Sequence, residues 1–279
     1  MFLSDLCVPS RLPRKHQSQL IEEEQQESSD QVTGRRPPIV DSIDILYMDD
    51  EYLAVNKPAD VRMDGDFDVT VTKLVYRKLG WKEDSVSPKP RFVHRLDYAT
   101  SGVLIAGLTE QSASYLAKLF RERRVEKFYL ALVHGWIGSK TIVMEESIAN
   151  HPVDGFMMTV GDGGGKRAKT ECIPLSFGLY GDYLVTKVLL KPFTGRRHQL
   201  RVHCKFHGFP IVGDATYGMD SVFGPDDART PPRMMLHAWK LKVPGDGRRK
   251  ELWVETPDPF ETCFVDLATI CVVDTVQGG

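Results

Sequence analysis

The chain has 279 residues, 42% of them apolar and 27% charged, with a formal net charge of −2. That is the make-up of an ordinary soluble globular protein with room for one large domain or two small ones. No run approaches the roughly 18 consecutive apolar residues of a membrane-spanning helix, so no membrane partner is expected. Cys7, Cys172, Cys204, Cys263 and Cys271 form none of the Cys-x-x-Cys pairs that zinc ribbons and redox motifs use. They are expected as reduced, non-catalytic thiols in a cytosolic or nuclear protein, with a mitochondrial home left open. The N-terminus shows no apolar core with a small-residue cleavage site, and the Glu22-Glu23-Glu24 run argues against a transit peptide.

Residues 1–38 are polar and without apolar period, and are expected to form a disordered tail. Residues 43–47 and 52–55 read as two strands joined by the acidic turn Asp49-Asp50-Glu51. Val71–Leu79 reads as a short helix stopped by Gly80, and 102–108 as a buried strand. Over 112–124 the period changes to a helix, with Ala113, Leu116, Ala117 and Phe120 at i, i+3, i+4 and i+7. Residues 128–134, 183–190 and Leu236–Val243 read as strands. Residues 198–207 read as a helix ended by Gly208, and the glycine-rich stretch 161–165 as a loop or hairpin tip. More strand than helix in one continuous pattern predicts an α+β fold, a single mixed-sheet domain over 39–262 followed by an extension over 263–279.

Net charge hides two local excesses. Residues 118–127 carry five cations against Glu122 and Glu126, among them Arg123 and Arg124. From Lys187 to Lys205 there are six cations and no acid, including Lys191, Arg196, Arg197 and Arg201. A charge run is often only a solvated face, but a phosphate backbone responds to a local face and not to the sum.

The densest segment is Phe92-Val93-His94-Arg95-Leu96-Asp97-Tyr98-Ala99-Thr100-Ser101-Gly102, a charged triplet running through a Thr-Ser-Gly turn into a strand. Taken alone, Asp97 reads as a turn-capping carboxylate. Its company changes that reading. Val55-Asn56-Lys57-Pro58, the His-Arg-Leu-Asp segment, Lys127-Phe128-Tyr129-Leu130-Ala131 and Gly195-Arg196-Arg197-His198-Gln199-Leu200-Arg201 stand in that order. Gly213-Asp214-x-x-Tyr217-Gly218 and Met235-Leu236-His237-Ala238 follow them. This ordered set resembles the RluA-type RNA pseudouridine synthases, from about residue 43 to 244.

The resemblance implies a catalytic domain built on a mixed, mostly antiparallel, bent sheet flanked by helices, acting on ribosomal, transfer or messenger RNA as a monomer and without a cofactor or metal. It implies that Asp97 is the catalytic carboxylate, Arg201 its partner, and Tyr129 the ring beside the target base. Arg95 would hold the flipped-out nucleotide or fill its place. His94, Lys57, Leu200, Arg196, Arg197, Arg123 and Arg124 are expected to line the substrate side. The chemistry suits these residue types: uridine must lose its C1′–N1 bond, turn, and rejoin through C5, which calls for an ionised carboxylate at C1′ in a site that retains the free base.

The chain departs from the pattern at Ala59-Asp60-Val61-Arg62-Met63, where the family has Ala-Gly and soon a histidine or similar polar residue; the expected effect is on substrate choice. No S4-type RNA-binding domain is evident ahead of the catalytic region. Two other readings stay open on the residues alone: an inactive RNA-binding module of the same fold, and a metal-dependent hydrolase using His203 and His207, one helical turn apart.

Overall fold

The computed structural model describes residues 40–82, 89–161, 164–218, 230–247 and 249–269. The expected tail at 1–38 lies outside them, as do Asp162 and Gly163 of the glycine-rich stretch, Cys7 and Cys271.

Strands β1 (Asp44–Met48) and β2 (Tyr52–Lys57) form the expected hairpin. Asp49 closes it, its Oδ1 accepting from the amides of Glu51 and Tyr52 at 2.8 and 2.6 Å. Helix α1 (Val71–Leu79) starts where the Thr70 hydroxyl accepts from Lys73 N and stops at left-handed Gly80, the two signals a helix of this length needs. After β3 (Arg91–Phe92) comes β4 (Ser101–Gly107), buried along its whole length.

Helix α2 (Glu110–Arg121) opens on a Thr109/Ser112 capping box and ends earlier than its apolar period suggests. Arg123 sits at φ 59, and the amides of Arg124 and Arg123 return to the carbonyls of Leu119 and Phe120. That is a Schellman closure made without glycine. The buried stripe is also rotated from the expected one: Ser112, Ala113, Leu116 and Leu119 face the core, while Ala117 and Phe120 face a cleft.

β5 (Glu126–His134), β10 (Tyr183–Pro192) and β11 (Leu236–Val243) match their expected places, and helix α3 (Gln199–Phe206) follows β10. The short strands β6 (Ile142–Met144), β7 (Ile148–Asn150), β8 (Met158–Val160), β12 (Leu252–Glu255) and β13 (Val265–Thr269) were not legible in the pattern. Nor was the long β9 (Thr170–Tyr180), and its reason is specific. Its buried face carries Thr170, Cys172, Pro174, Ser176 and Gly178, the reverse of an apolar stripe. Pro174 lies at a register shift against β10, and on its other edge β6 pairs 170–172 while β13 pairs 176–179. The proline therefore stands where no ladder asks for its amide. β13 also carries the sheet past the boundary expected at residue 262.

These strands form an eleven-stranded sheet with the backbone order β1-β2-β4-β11-β5-β10-β9-β13, and β7 pairs β8 apart from it. Every pairing is antiparallel except β4 with β11. The three helices of the described residues pack through Leu74 and Val75 of α1, Leu116 and Leu119 of α2, and Leu200 and Cys204 of α3. This is the α+β, mixed and mostly antiparallel sheet that the sequence predicts.

One row across the sheet positions the site. Gly102 pairs with Ala238, Ala238 with Tyr129, and Tyr129 with Leu190. At Gly102, φ is 112 and a Cβ would lie 2.1 Å from the carbonyl oxygen of Ala238. Only glycine lets β4 approach β11 here. Gly102→Ala is therefore expected to cost about 3 kcal/mol through overpacking and positive-φ strain, read as a fall in Tm of roughly 5–10 °C. An unchanged melting curve would contradict the close approach.

Candidate active site

Asp97 lies on the loop between β3 and β4. Its turn is closed by the amide of Thr100 donating to the Asp97 carbonyl at 3.1 Å. Beneath that loop is Lys57, the last residue of β2 and wholly buried. Its Nζ donates to the carbonyls of Pro58 (2.9 Å), Tyr98 (2.8 Å) and Thr100 (2.9 Å). Burial pulls its pKa down to about 7, against the opposing charges of Asp60 and Asp97. Lys57, expected to face substrate, instead donates to the backbone, to Tyr98 and Thr100 of the Asp97 loop and to its own neighbour Pro58, and positions that loop.

Arg201 reaches Asp97 from α3, Nη1 to Oδ2 at 3.4 Å. Its stronger partner is Asp214, which it meets through two nitrogens, Nε to Oδ2 at 2.7 Å and Nη2 to Oδ1 at 2.8 Å. Asp214 has no side-chain exposure, Arg201 has 7% and Asp97 has 28%. The geometry is a bidentate clamp with one further nitrogen turned to a carboxylate that opens on the cleft. Burial works against ionising Asp97, but the charges of His198, Arg201 and Arg95 outweigh it and hold the carboxyl below its ordinary value. Burial also pushes His198 down to about 4, so at neutral pH the standing cations are Arg201 and Arg95.

Asp214 does more than hold Arg201. Its Oδ1 also accepts from the amides of Thr216 and Tyr217, at 3.0 and 3.1 Å. Tyr217 Oη lies 2.8 Å from His198 Nδ1 and accepts from Met158 N at 2.7 Å, tying β8 to the start of α3. His198 occupies the position ahead of α3 at φ 53. Gln199 uses its whole amide: Oε1 accepts from Thr194 Oγ1 and Arg196 N, and Nε2 donates to Lys169 O and Thr170 Oγ1. These residues stood in the motif blocks, but Asp214, Tyr217, His198 and Gln199 carried no assigned role. Asp214 stood in its motif block without a signal of its partner, because the buried arginine that requires a buried acid shows its burial only in the fold.

Tyr129 lies half-buried on β5 and faces the same cleft. Burial, and then the negative charge of Asp97, raise its pKa, so the phenol keeps its proton at neutral pH. Leu200 is buried and lines the cleft as expected. His94 lines it too, but its Nε2 accepts the amide of Ile105 at 3.1 Å and its ring stacks on Phe120 at 4.4 Å. Burial pushes His94 down to about 3. It is a neutral ring filling the edge of β4 between β3 and β11, not a cation for phosphate.

The expected basic run from 187 to 205 does not form one face, because a strand and a helix divide it. Lys187 pairs with Asp258, Lys191 with Glu126, and Arg201 turns inward, leaving Arg196 and Arg197 on the cleft. Arg196 Nε donates to Arg167 O, and the Arg197 guanidinium lies 5.1 Å from the Phe156 ring centroid. Arg123 lines the cleft while Arg124 pairs with Glu122 outside it. Arg95 is exposed at the rim. The cleft encloses about 1500 Å3 and is lined by nine arginines and lysines against three aspartates. His203 and His207 stand one turn apart, but His203 contacts Thr170 Oγ1 and the Glu146 carbonyl, and His207 the Glu146 carboxylate.

This is the architecture of the pseudouridine synthases, a family of isomerases. The family profile described as RNA pseudouridylate synthase matches residues 51–206. The human RNA pseudouridylate synthase domain-containing protein 1 is 41% identical over 234 residues, covering 80% of this chain and 73% of its own. The Escherichia coli (strain K12) dual-specificity RNA pseudouridine synthase RluA is 31% identical over 233 residues, covering 80% of this chain and 97% of its own. A solved structure of human RNA pseudouridylate synthase domain containing 1 superposes with a TM-score of 0.72 at 36% identity, over 85% of this chain and 94% of that one. The chain belongs to the RNA pseudouridine synthase family and is of its RluA type.

The two aspartates should respond differently to mutation. Asp214→Ala leaves a buried guanidinium without its clamp and is expected to cost about 3–5 kcal/mol in denaturant unfolding. Asp97→Asn keeps the clamp and should stay within about 1 kcal/mol. Because the folded pKa of Asp97 is depressed, its contribution is complete above the unfolded value and is lost as pH falls through the folded one. The acid limb of the stability curve should be shallower in Asp97→Asn. Equal losses for the two variants at neutral pH would refute this division.

Proposed function

We propose that this protein isomerises a uridine within an RNA chain, with Asp97 as its catalytic carboxylate. The observation that carries the reading is the Arg201 guanidinium, fixed by Asp214 and turned with its remaining nitrogen toward Asp97 on the floor of a cation-lined cleft. The carboxylate is ionised at neutral pH, as attack at C1′ or assistance to elimination there requires. The C1′–N1 bond breaks, the uracil turns, a C1′–C5 bond forms, and the C5 proton leaves as N1 gains one. Atoms balance without a co-reactant. The cations of the cleft suit a phosphate backbone, so affinity falls as salt rises. A stacked uridine reaches Asp97 only by leaving its helix, and Arg95, two residues away at the rim, is placed to fill the gap.

Tyr129 would give the detached base a ring face to lie on, while its protonated hydroxyl acts as a donor and not as a phenolate base. Tritium release from uridine-labelled RNA tests the carboxylate. Asp97→Asn should bind RNA and release none, and activity within about tenfold of wild type, ~1.4 kcal/mol in barrier, would sink the assignment. Tyr129→Phe keeps the stacking surface and should lower single-turnover rate more than affinity. A Tyr129→Phe protein with lowered Tm and full turnover would make Tyr129 a core residue only.

A further inference from the structure

At the turn that closes α2, backbone and side chain ask for different residues. Arg123 stands at φ 59 in a Schellman closure, a position that glycine fits without steric cost and in which an L side chain is strained. Strain of this kind persists only where the surrounding structure holds it, and it is concentrated at sites that bind or react. The Arg123 side chain is exposed on the cleft, and among the described residues no carboxylate pairs with it. The two acids of its own run are engaged elsewhere: Glu122 by Lys118 and Arg124, and Glu126 by Lys191 and Lys242.

Lys127 is the second cation of that run left without an acid. It lines the cleft from β5, two residues before Tyr129, hence on the same face and roughly 7 Å from it along the strand. Among the described residues its Nζ has one long contact, to the carbonyl of Thr194 at 3.4 Å. At Gly195 a Cβ would meet only this Nζ, at 3.8 Å, so a side chain there would lie over the ammonium and glycine leaves it open. Burial, and then the charge of Arg123, pull the Lys127 pKa down to about 8. Two cations that repel each other in one cleft, with no acid between them, are stabilised by an anion with oxygens enough for both, and a phosphodiester is such a group. We infer that Arg123 and Lys127 together hold one of the two phosphates flanking the nucleotide at Asp97. The inference rests on the RNA-modifying reading above, and it adds where the backbone beside the target is anchored. A phosphate contact fixes register and orientation and reads no base, so this pair sets which nucleotide comes to Asp97.

The test uses the full chain and an RNA stem-loop with one uridine in its loop, in which single phosphates are replaced in turn by neutral methylphosphonates. Affinity is read by fluorescence titration, and pseudouridine formation by mass spectrometry on the unmodified RNA. Wild type should lose about tenfold at one of the two linkages flanking the uridine, the scale of a charge-assisted contact, and less at linkages farther off. Lys127→Met keeps the stem and removes the charge. It should bind the unmodified RNA about tenfold more weakly and lose nothing further at that linkage. Arg123→Gly should show the same coupling with a Tm equal to or above that of wild type, because glycine relieves the turn. A structural role for Arg123 predicts the reverse, a lower Tm with the linkage loss intact. A wild type in which neither flanking linkage stands out, or a loss at that linkage that survives in either variant, overturns the inference. A loss that depends on both residues, in an RNA that acquires no pseudouridine, would uphold it while counting against the reaction proposed at Asp97.

Discussion

A guanidinium taken out of water must be surrounded by acceptors, and at Arg201 this requirement organises the site. Asp214 supplies two acceptors in the plane of the fork, and the same carboxylate gathers the amides that follow it. The loop after α3 is thereby folded against the helix that carries the arginine. One nitrogen remains, directed at Asp97. Had Asp97 been the principal partner, its charge would have been consumed by the fold. With Asp214 in that place, Arg201 can stabilise a carboxylate that still opens on the cleft.

A second buried cation works on the other side of the same residue. Lys57 touches no carboxylate within hydrogen-bonding distance; it gathers the carbonyls of Tyr98 and Thr100 in the Asp97 turn and that of its own neighbour Pro58. One cation thus sets the charge state of Asp97 and the other its path. Neither is exposed, and both charges are set by packing that extends well beyond the cleft. Loops are commonly the mobile parts of a fold; the Asp97 loop is tied from below by β2 and from the side by α3.

Much of this was legible in the sequence, for reasons that differ by element. The long strands and α1 were marked by apolar period and by Gly80, and the ordered motif blocks singled out Asp97, Tyr129, Leu200 and Arg201, which line one cleft. β9 was not legible because a strand buried between other strands and bulges can present Thr, Cys, Pro, Ser and Gly inward. The end of α2 was hidden because Arg123 adopts a left-handed conformation that composition assigns to glycine. Lys57 and His94 were assigned to substrate because a charged residue type is visible in a sequence and its burial is not. The basic run from 187 to 205 was broken by geometry: on β10 Lys187 and Lys191 are met by Asp258 and Glu126, while Arg201 on α3 turns inward to Asp214.

The seam at Pro174 bears on how the sheet opens. β13 and β6 share the outer edge of β9 without touching the same residues, and the imino acid between them donates no ladder bond across the junction. Cooperativity along that edge is interrupted there. Among the described residues β13 is bonded to a single neighbour, and it carries Val265 and Leu267 in exposed positions, so little apolar burial opposes its release. It can therefore fray as a separate unit, exchanging its amides while β9 stays bonded to β10 and the Thr170 end of β9 keeps its grip on Gln199 and His203. The periphery of the sheet can breathe without loosening the helix that presents Arg201.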